Sequence, residues 1–346
     1  MFKKLFLVLI ASILLMTACD SIKGVNLNQM ILNNSKIKSA QSYTVFSLDL
    51  SYKKSKIKDN DYLKVLNLLD NMKFHVQTKM QNPDTFSMGG FVQLKQGKIP
   101  FQLYADKKQM VLLVDQASKA IRLPVQSEGA GNDFVQNIQS TLVPAIVADL
   151  PNPKHINAQT NVTYKVHGDT VKGHKIHAEV YANEVPGLFL KFLDNVSKDE
   201  KSIKQLAVIL TEINKMSGDD TVVSMNELKQ IIKQFRNEFN QSLPEMKKSG
   251  MFDKRNFLKT DILVDKNFNQ RKSYTEIKLQ KLPDDAAGLD GITIRVTQEV
   301  WNINKKVAAL KINRTKFLSP DASEDEFLST LDKKHSVLYR VLKSFE

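Results

Sequence analysis

Thr44-Val45-Phe46-Ser47-Leu48-Asp49-Leu50-Ser51-Tyr52 sets large apolar side chains at even positions from Phe46 onward and polar ones at odd positions after Val45. A period of two marks a strand with one dry and one wet face, the usual state of a strand in an antiparallel sheet. The beat returns downstream. Phe74, Val76, Thr78 and Met80 alternate with His75, Gln77 and Lys79. A further strand is predicted from Phe91 to Lys95, after the pair Gly89-Gly90, which reads as a bulge or a strand start. Ile99, Phe101, Leu103 and Ala105 share one face of the next, and Met110 to Val114 and Ala120 to Leu123 complete a meander. Short polar breaks such as Gln96-Gly97-Lys98 and Asp106-Lys107-Lys108 have hairpin length. A small helix is expected around Tyr62, Leu63, Val65, Leu66 and Leu69.

The 346 residues allow one large domain or two ordinary ones. Hydrophobic residues at 42% and charged residues at 25% supply a core and exclude a wholly disordered chain. A single cysteine excludes a disulfide framework and a thiolate zinc cluster.

Beyond the meander, Phe134, Val135, Ile138, Leu142, Ile146 and Val147 recur at helical spacing, with Pro144 as a kink or an end. A second block opens with strands at 161–166 and 171–181, joined by His167-Gly168-Asp169-Thr170. Three helical pieces follow. Asn183 is placed to cap the first, and Ser224 with Glu227 forms a capping box for the third, which Pro244 and Gly250 are expected to end. Strands resume at 258–264, 274–279, 292–301 and 307–312. Ser323 with Glu326 opens a last helix running through Phe327, Leu331, Val337 and Val341.

The amino terminus is of another kind. Lys3 and Lys4 precede an uncharged run from Leu5 to Met16, too short for an ordinary membrane span but suited to an export signal. Leu15-Met16-Thr17-Ala18-Cys19 resembles the lipobox of bacterial lipoproteins, with Met16 where Leu is usual. The resemblance implies cleavage before Cys19 and a covalent diacylglycerol and N-acyl lipid, such as palmitate, on its sulfur and amine. No other cofactor is expected. The chain then divides into a signal peptide (1–18), a tether (19–35), a first sheet-plus-helix lobe (36–154) and a second lobe (155–346) with a helical insert (184–247). Removal of the signal lowers the formal charge from +13 to +11. Such an excess draws a protein to anionic headgroups or to an anionic envelope polymer. Nucleic acid is not expected as a partner of an exported lipoprotein.

Long antiparallel strands whose apolar faces need helical cover indicate an α+β fold with a long antiparallel curved sheet and helices packed on one face. Ser39-Ala40-Gln41-Ser42-Tyr43, running into the long strand just after a short amphipathic helix, is similar to the opening of the LolA/LppX-like half-barrels of bacterial lipid carriers; the resemblance covers 25–150 and 255–346. A second resemblance, over 160–215, is to uncharacterised exported proteins of spore-forming Gram-positive bacteria. It rests on Gly173-His174-Lys175-Ile176-His177-Ala178-Glu179, Leu188-Phe189-Leu190-Lys191-Phe192-Leu193 and Lys198-Asp199-Glu200-Lys201-Ser202-Ile203.

Catalytic and metal chemistry find little footing. His155, His167, His174 and His177 fall close together, but 174 and 177 lie three apart on a strand and point to opposite faces, as solvent-facing histidines. Asp219-Asp220 and Asp284-Asp285 read as solvated turns, and no Gly-x-Ser-x-Gly elbow occurs. Neither a catalytic, a cofactor-binding nor a metal site is assigned. Phe46, Phe74, Phe86, Phe91 and Phe101 in the meander are either core or the lining of an apolar cavity. The expectation is a non-enzymatic protein anchored through Cys19 on the extracytoplasmic face of the cell membrane. It would bind an apolar or amphiphilic ligand such as lipid. The alternative is a structural or interaction protein of the envelope, in wall or spore assembly, docking a neighbouring envelope protein.

Overall fold

The computed structural model describes residues 22–345 except 24, 125–142, 281, 283–287, 315 and 320. Cys19, Asp284-Asp285 and most of the expected 134–147 helix therefore lie outside the described residues.

Helix α1 (Leu27–Ser35) leads into β1 (Ala40–Tyr52), α2 (Asn60–Leu69) and the meander β2 (Met72–Asn82), β3 (Thr85–Leu94), β4 (Gly97–Ala105), β5 (Gln109–Val114) and β6 (Ala120–Pro124). Then come α3 (Val143–Asp149), the hairpin β7 (His155–Val166) and β8 (Asp169–Tyr181), and the helices α4 (Val185–Lys198), α5 (Glu200–Met216) and α6 (Met225–Lys248). Strands β9 (Phe257–Asp265), β10 (Gln270–Leu279) and β11 (Leu289–Trp301) follow. The short β12 (Phe317–Leu318), α7 (Glu324–Ser329) and α8 (Val337–Lys343) close the chain.

All twelve strands belong to one open, curved sheet, in the order β12-β6-β5-β4-β3-β2-β1-β11-β10-β9-β8-β7. Every pairing is antiparallel except β12 with β6. The two halves meet where β1 pairs with β11, from Gln41 opposite Trp301 to Leu50 opposite Ile292. The β7–β8 hairpin turns at His167 and Gly168, both at positive φ (48° and 90°), the backbone that a two-residue hairpin needs.

Several local expectations are corrected. Gly89-Gly90 is neither a bulge nor a start. It sits in mid-strand, Gly89 opposite Gln77 and Gly90 opposite Val76 in unbroken register. The 307–312 segment forms no strand. It is an irregular strap whose backbone N–H groups at Ala309 and Leu310 donate to the side chains of Gln81 and Ser87. Glu184, not Asn183, is the N-cap of α4 and makes no side-chain cap bond; Pro186, needing no N–H partner in the first turn, starts the helix instead. Pro244 lies inside α6, whose capping box at Ser224 and Glu227 is formed as expected. The last helix is two, with a break at 330–336.

The break has a physical cause. Asp115, buried in the β5–β6 turn, accepts hydrogen bonds from Ser336 Oγ (2.5 Å) and the Leu338 N–H (2.8 Å), while Ser336 Oγ accepts from the Tyr339 N–H. Asp115 thereby docks the start of α8 onto the sheet. Asp115→Ala leaves a buried hydroxyl and an N–H without their acceptor, and about 1–3 kcal/mol of stability is expected to be lost in urea titration.

Candidate functional site

Register assigns each side chain to a face. One face of the sheet centre carries Phe46, Leu48 and Leu50 from β1, Phe74 and Val76 from β2, and Phe86 and Met88 from β3. Phe101 and Leu103 from β4 and Ile292 and Ile294 from β11 continue it. Helices close this apolar face at both ends. On one side Val25 and α1, through Leu27 and Met30, bury Ala158, Ile176 and Val264. The described part of the segment expected as a tether thus packs on the sheet. On the other side, Val337 and Val341 of α8 bury Leu94 and Ile99. Between these ends Phe46, Leu48, Phe74, Phe86, Phe101, Leu103 and Ile294 are only half-buried. Phe74 and Phe101 stack at 5.1 Å between ring centroids although β3 separates their strands. Phe101 stands opposite Gly90 and Phe74 opposite Val92, so the rings close diagonally across β3, where Gly90 has no side chain to keep them apart.

Phe91 is the exception among the five phenylalanines. It pairs with His75 on the opposite face, stacked at 4.4 Å on that imidazole and beneath Lys98 Nζ, 4.4 Å from the ring centre.

The opposite face is polar along β8–β11 and β1–β3, whereas on β4 and β5 Tyr104, Val111 and Leu113 are buried, the last two packed with Leu328 of α7. On β8–β11 it is an ion-pair ladder. Lys175 meets Asp261 at 2.9 Å, Lys259 meets Glu179 at 3.1 Å, Lys272 meets Glu299 at 2.7 Å, and Arg295 bridges Glu276 and Asp49. The Glu179 carboxylate also accepts from Tyr181 Oη at 2.6 Å and lies 3.3 Å from His177 Nε2. The Tyr181 hydroxyl foremost, then Lys259 and His177, hold Glu179 down at about 2, against the opposing effect of burial. A depressed carboxylate stabilises the fold above its unfolded pKa of 4.5, and that contribution disappears as pH falls towards 2. Glu179→Gln is therefore expected to flatten the loss of stability between about pH 4.5 and 2, measured by urea midpoints across that range.

The four histidines are not brought together. His155 lies 3.5 Å from Glu184, and His167 stacks on Trp301 at 3.9 Å. His177 lies in the ion ladder, while His174 points to the apolar face. His174 is not solvent-facing: it stacks on Phe268 and its Nδ1 is closed off from solvent. Among the described residues no three His, Cys, Asp or Glu side chains converge at metal-binding distances, and no helix is long and apolar enough to cross a membrane. Asp219 is engaged in its own turn, accepting from the Thr221 N–H.

No family model matches the chain, and no curated protein matches it. Among solved structures the chain is similar to the lipoprotein LppX of Mycobacterium tuberculosis, at 12% identity and a TM-score of 0.26, over 82% of this chain and 98% of that one. It is also similar to a LolA superfamily protein of Nitrosomonas europaea, at 8% identity and a TM-score of 0.20, over 82% of this chain and 94% of that one.

Proposed function

We propose that the protein is a non-enzymatic, membrane-anchored binder of an apolar or amphiphilic molecule, lipid being the fitting class, held against the apolar face of the sheet centre. One observation carries the reading. A row of large apolar side chains, Phe46, Leu48, Phe74, Phe101, Leu103 and Ile294, is half-buried while the clusters on either side of it are fully closed. Full burial of such a side chain contributes about 1.5–3 kcal/mol, so completing the burial of these half-buried ones against a ligand contributes about half of that each. A broad apolar surface with few polar groups selects for bulk and hydrophobicity rather than for a particular headgroup.

The test is direct. Protein purified without detergent is extracted and its lipids identified by mass spectrometry, and the delipidated protein is titrated with the fluorescent fatty acid cis-parinaric acid. Phe74→Ser/Phe101→Ser is expected to weaken binding at least tenfold, because two apolar contacts of that size are lost. Protein that carries no lipid and leaves the fluorescence unchanged overturns the reading.

A second reading has one observation in its favour. Val208, Ile213, Val222, Ile231 and Phe235 are exposed on the α5–α6 region. A protein docked there would make this a structural component of the envelope, and its capture would be indifferent to the Phe74 and Phe101 substitutions.

A further inference from the structure

The polar face is divided electrically. On β8–β11 its cations are matched by carboxylates, as described above. On β1–β4 they are not. Four rows of facing residues cross these strands, and none contains Asp or Glu. In the first row Lys73, Gln93 and Lys98 lie side by side, and in the last Lys79 faces Gln41 and Ser87. Between them stand Gln77 and Gln102. Lys73, Lys79 and Lys98 have no carboxylate partner among the described residues, and Lys73 and Lys98 are exposed. The strap enters at the Lys79 end, where the Lys305 carbonyl accepts from Ser39 Oγ, and it brings exposed Lys305 and Lys306 to that border. With strands about 4.8 Å apart and residues about 3.3 Å apart, the lysines bracket a track roughly 10 Å wide at the Lys73–Lys98 end and 20 Å long on β2. At its Lys79 end the strap closes the β3–β4 side, where Ser87 and Tyr104 are buried and Ser87 Oγ accepts from the Leu310 N–H. Burial, and then Lys73 and Lys98, hold the His75 imidazole below its usual pKa, as expected where positive charge is uncompensated.

We propose that this track is a docking surface for a linear, phosphate-bearing polyanion, with the lysines meeting its charges and the glutamine amides its hydroxyl or ester oxygens. A soluble polymer fits better than a lipid surface. The rings on the track are engaged rather than free to insert: Tyr43 Oη lies 2.8 Å from His75 Nδ1, and Phe91 is held between His75 and Lys98. The amino-terminal segment, through Val25, packs on the other face of the sheet. This site is separate from the apolar one and does not depend on it.

The experiment titrates the delipidated protein with poly(glycerol phosphate) across a salt series, beside vesicles containing phosphatidylglycerol. Lys73→Gln/Lys79→Gln/Lys98→Gln is compared with Lys175→Gln/Lys272→Gln from the paired half, with circular dichroism confirming that both variants fold. The track predicts polymer binding that weakens with salt, and at least a tenfold loss with a salt slope lower by about two to three charges in the triple variant alone. An equal loss in both variants, no loss in either, or binding to vesicles without binding to the polymer overturns it.

Discussion

Gly90→Ala is expected to cost the fold about 3 kcal/mol, at the upper end for overpacking, or roughly a hundredfold in the ratio of folded to unfolded chains. A Cβ at Gly90 would lie 1.8 Å from the backbone carbonyl oxygen of His75. That neighbour is a strand in ladder register, not the end of a flexible side chain, so relief requires β2 and β3 to separate. The adjacent residue is the control, since at Gly89 the nearest atom to an added Cβ is 4.0 Å away. Gly89→Ala should therefore shift the urea midpoint little while Gly90→Ala shifts it strongly. The lesion should also disturb the Phe74–Phe101 stack that rests over Gly90, so whatever Gly90→Ala protein folds should bind cis-parinaric acid less well. Equal midpoints for the two variants would refute the close approach.

The second large effect concerns Cys19. Cys19→Ser is expected to move the protein from the membrane pellet to the soluble fraction and to leave its signal peptide uncleaved by a lipoprotein-specific peptidase. Each acyl methylene buried contributes about 0.8 kcal/mol, so two chains hold a protein where one alone would exchange. Fractionation with metabolic labelling by a palmitate analogue reads both outcomes at once. A serine variant that stays in the pellet, or a wild-type protein that takes up no label, removes the anchor from the proposal. The apolar and cationic sites would then be judged on their own titrations.

What was legible in the sequence is what is local. Alternation from Phe46 to Tyr52 and from Phe74 to Met80 showed the strands because each has one dry face. Ser224 with Glu227 and Ser323 with Glu326 showed helix starts because a capping box is complete within four residues. What was missed depends on neighbours far away in the chain. The 307–312 segment is apolar enough to read as a strand, yet its Ala309 and Leu310 N–H groups donate to side chains of β2 and β3 rather than to a neighbouring backbone. Pro244 is itself exposed in a 24-residue helix that is held on both sides of it, by buried Leu228 and Ile232 before it and by Leu243 and Met246, which pack with Val180, Leu188 and Phe252. Phe91 reads from sequence as one of the apolar row because parity across β2 and β3 is set by pairing register, which composition does not carry. The phenylalanines of the candidate site were visible as residues, but their half-burial follows from where α1 and α8 stop. The ion ladder was invisible for the same reason, since Lys259 and Glu179 are joined by strand pairing alone.

The join between β1 and β11 has a further consequence, for the order of events as the molecule takes shape. Gln41 waits for Trp301, and nothing in between can stand in for it. Hairpins β2 to β6 can zip early, as can the β7–β8 pair, because each closes over a few residues. Until the chain is almost finished, the flank of β1 that belongs to β11 stays open, an invitation to any passing strand. Slow synthesis between β1 and β11 would prolong the exposure of that flank.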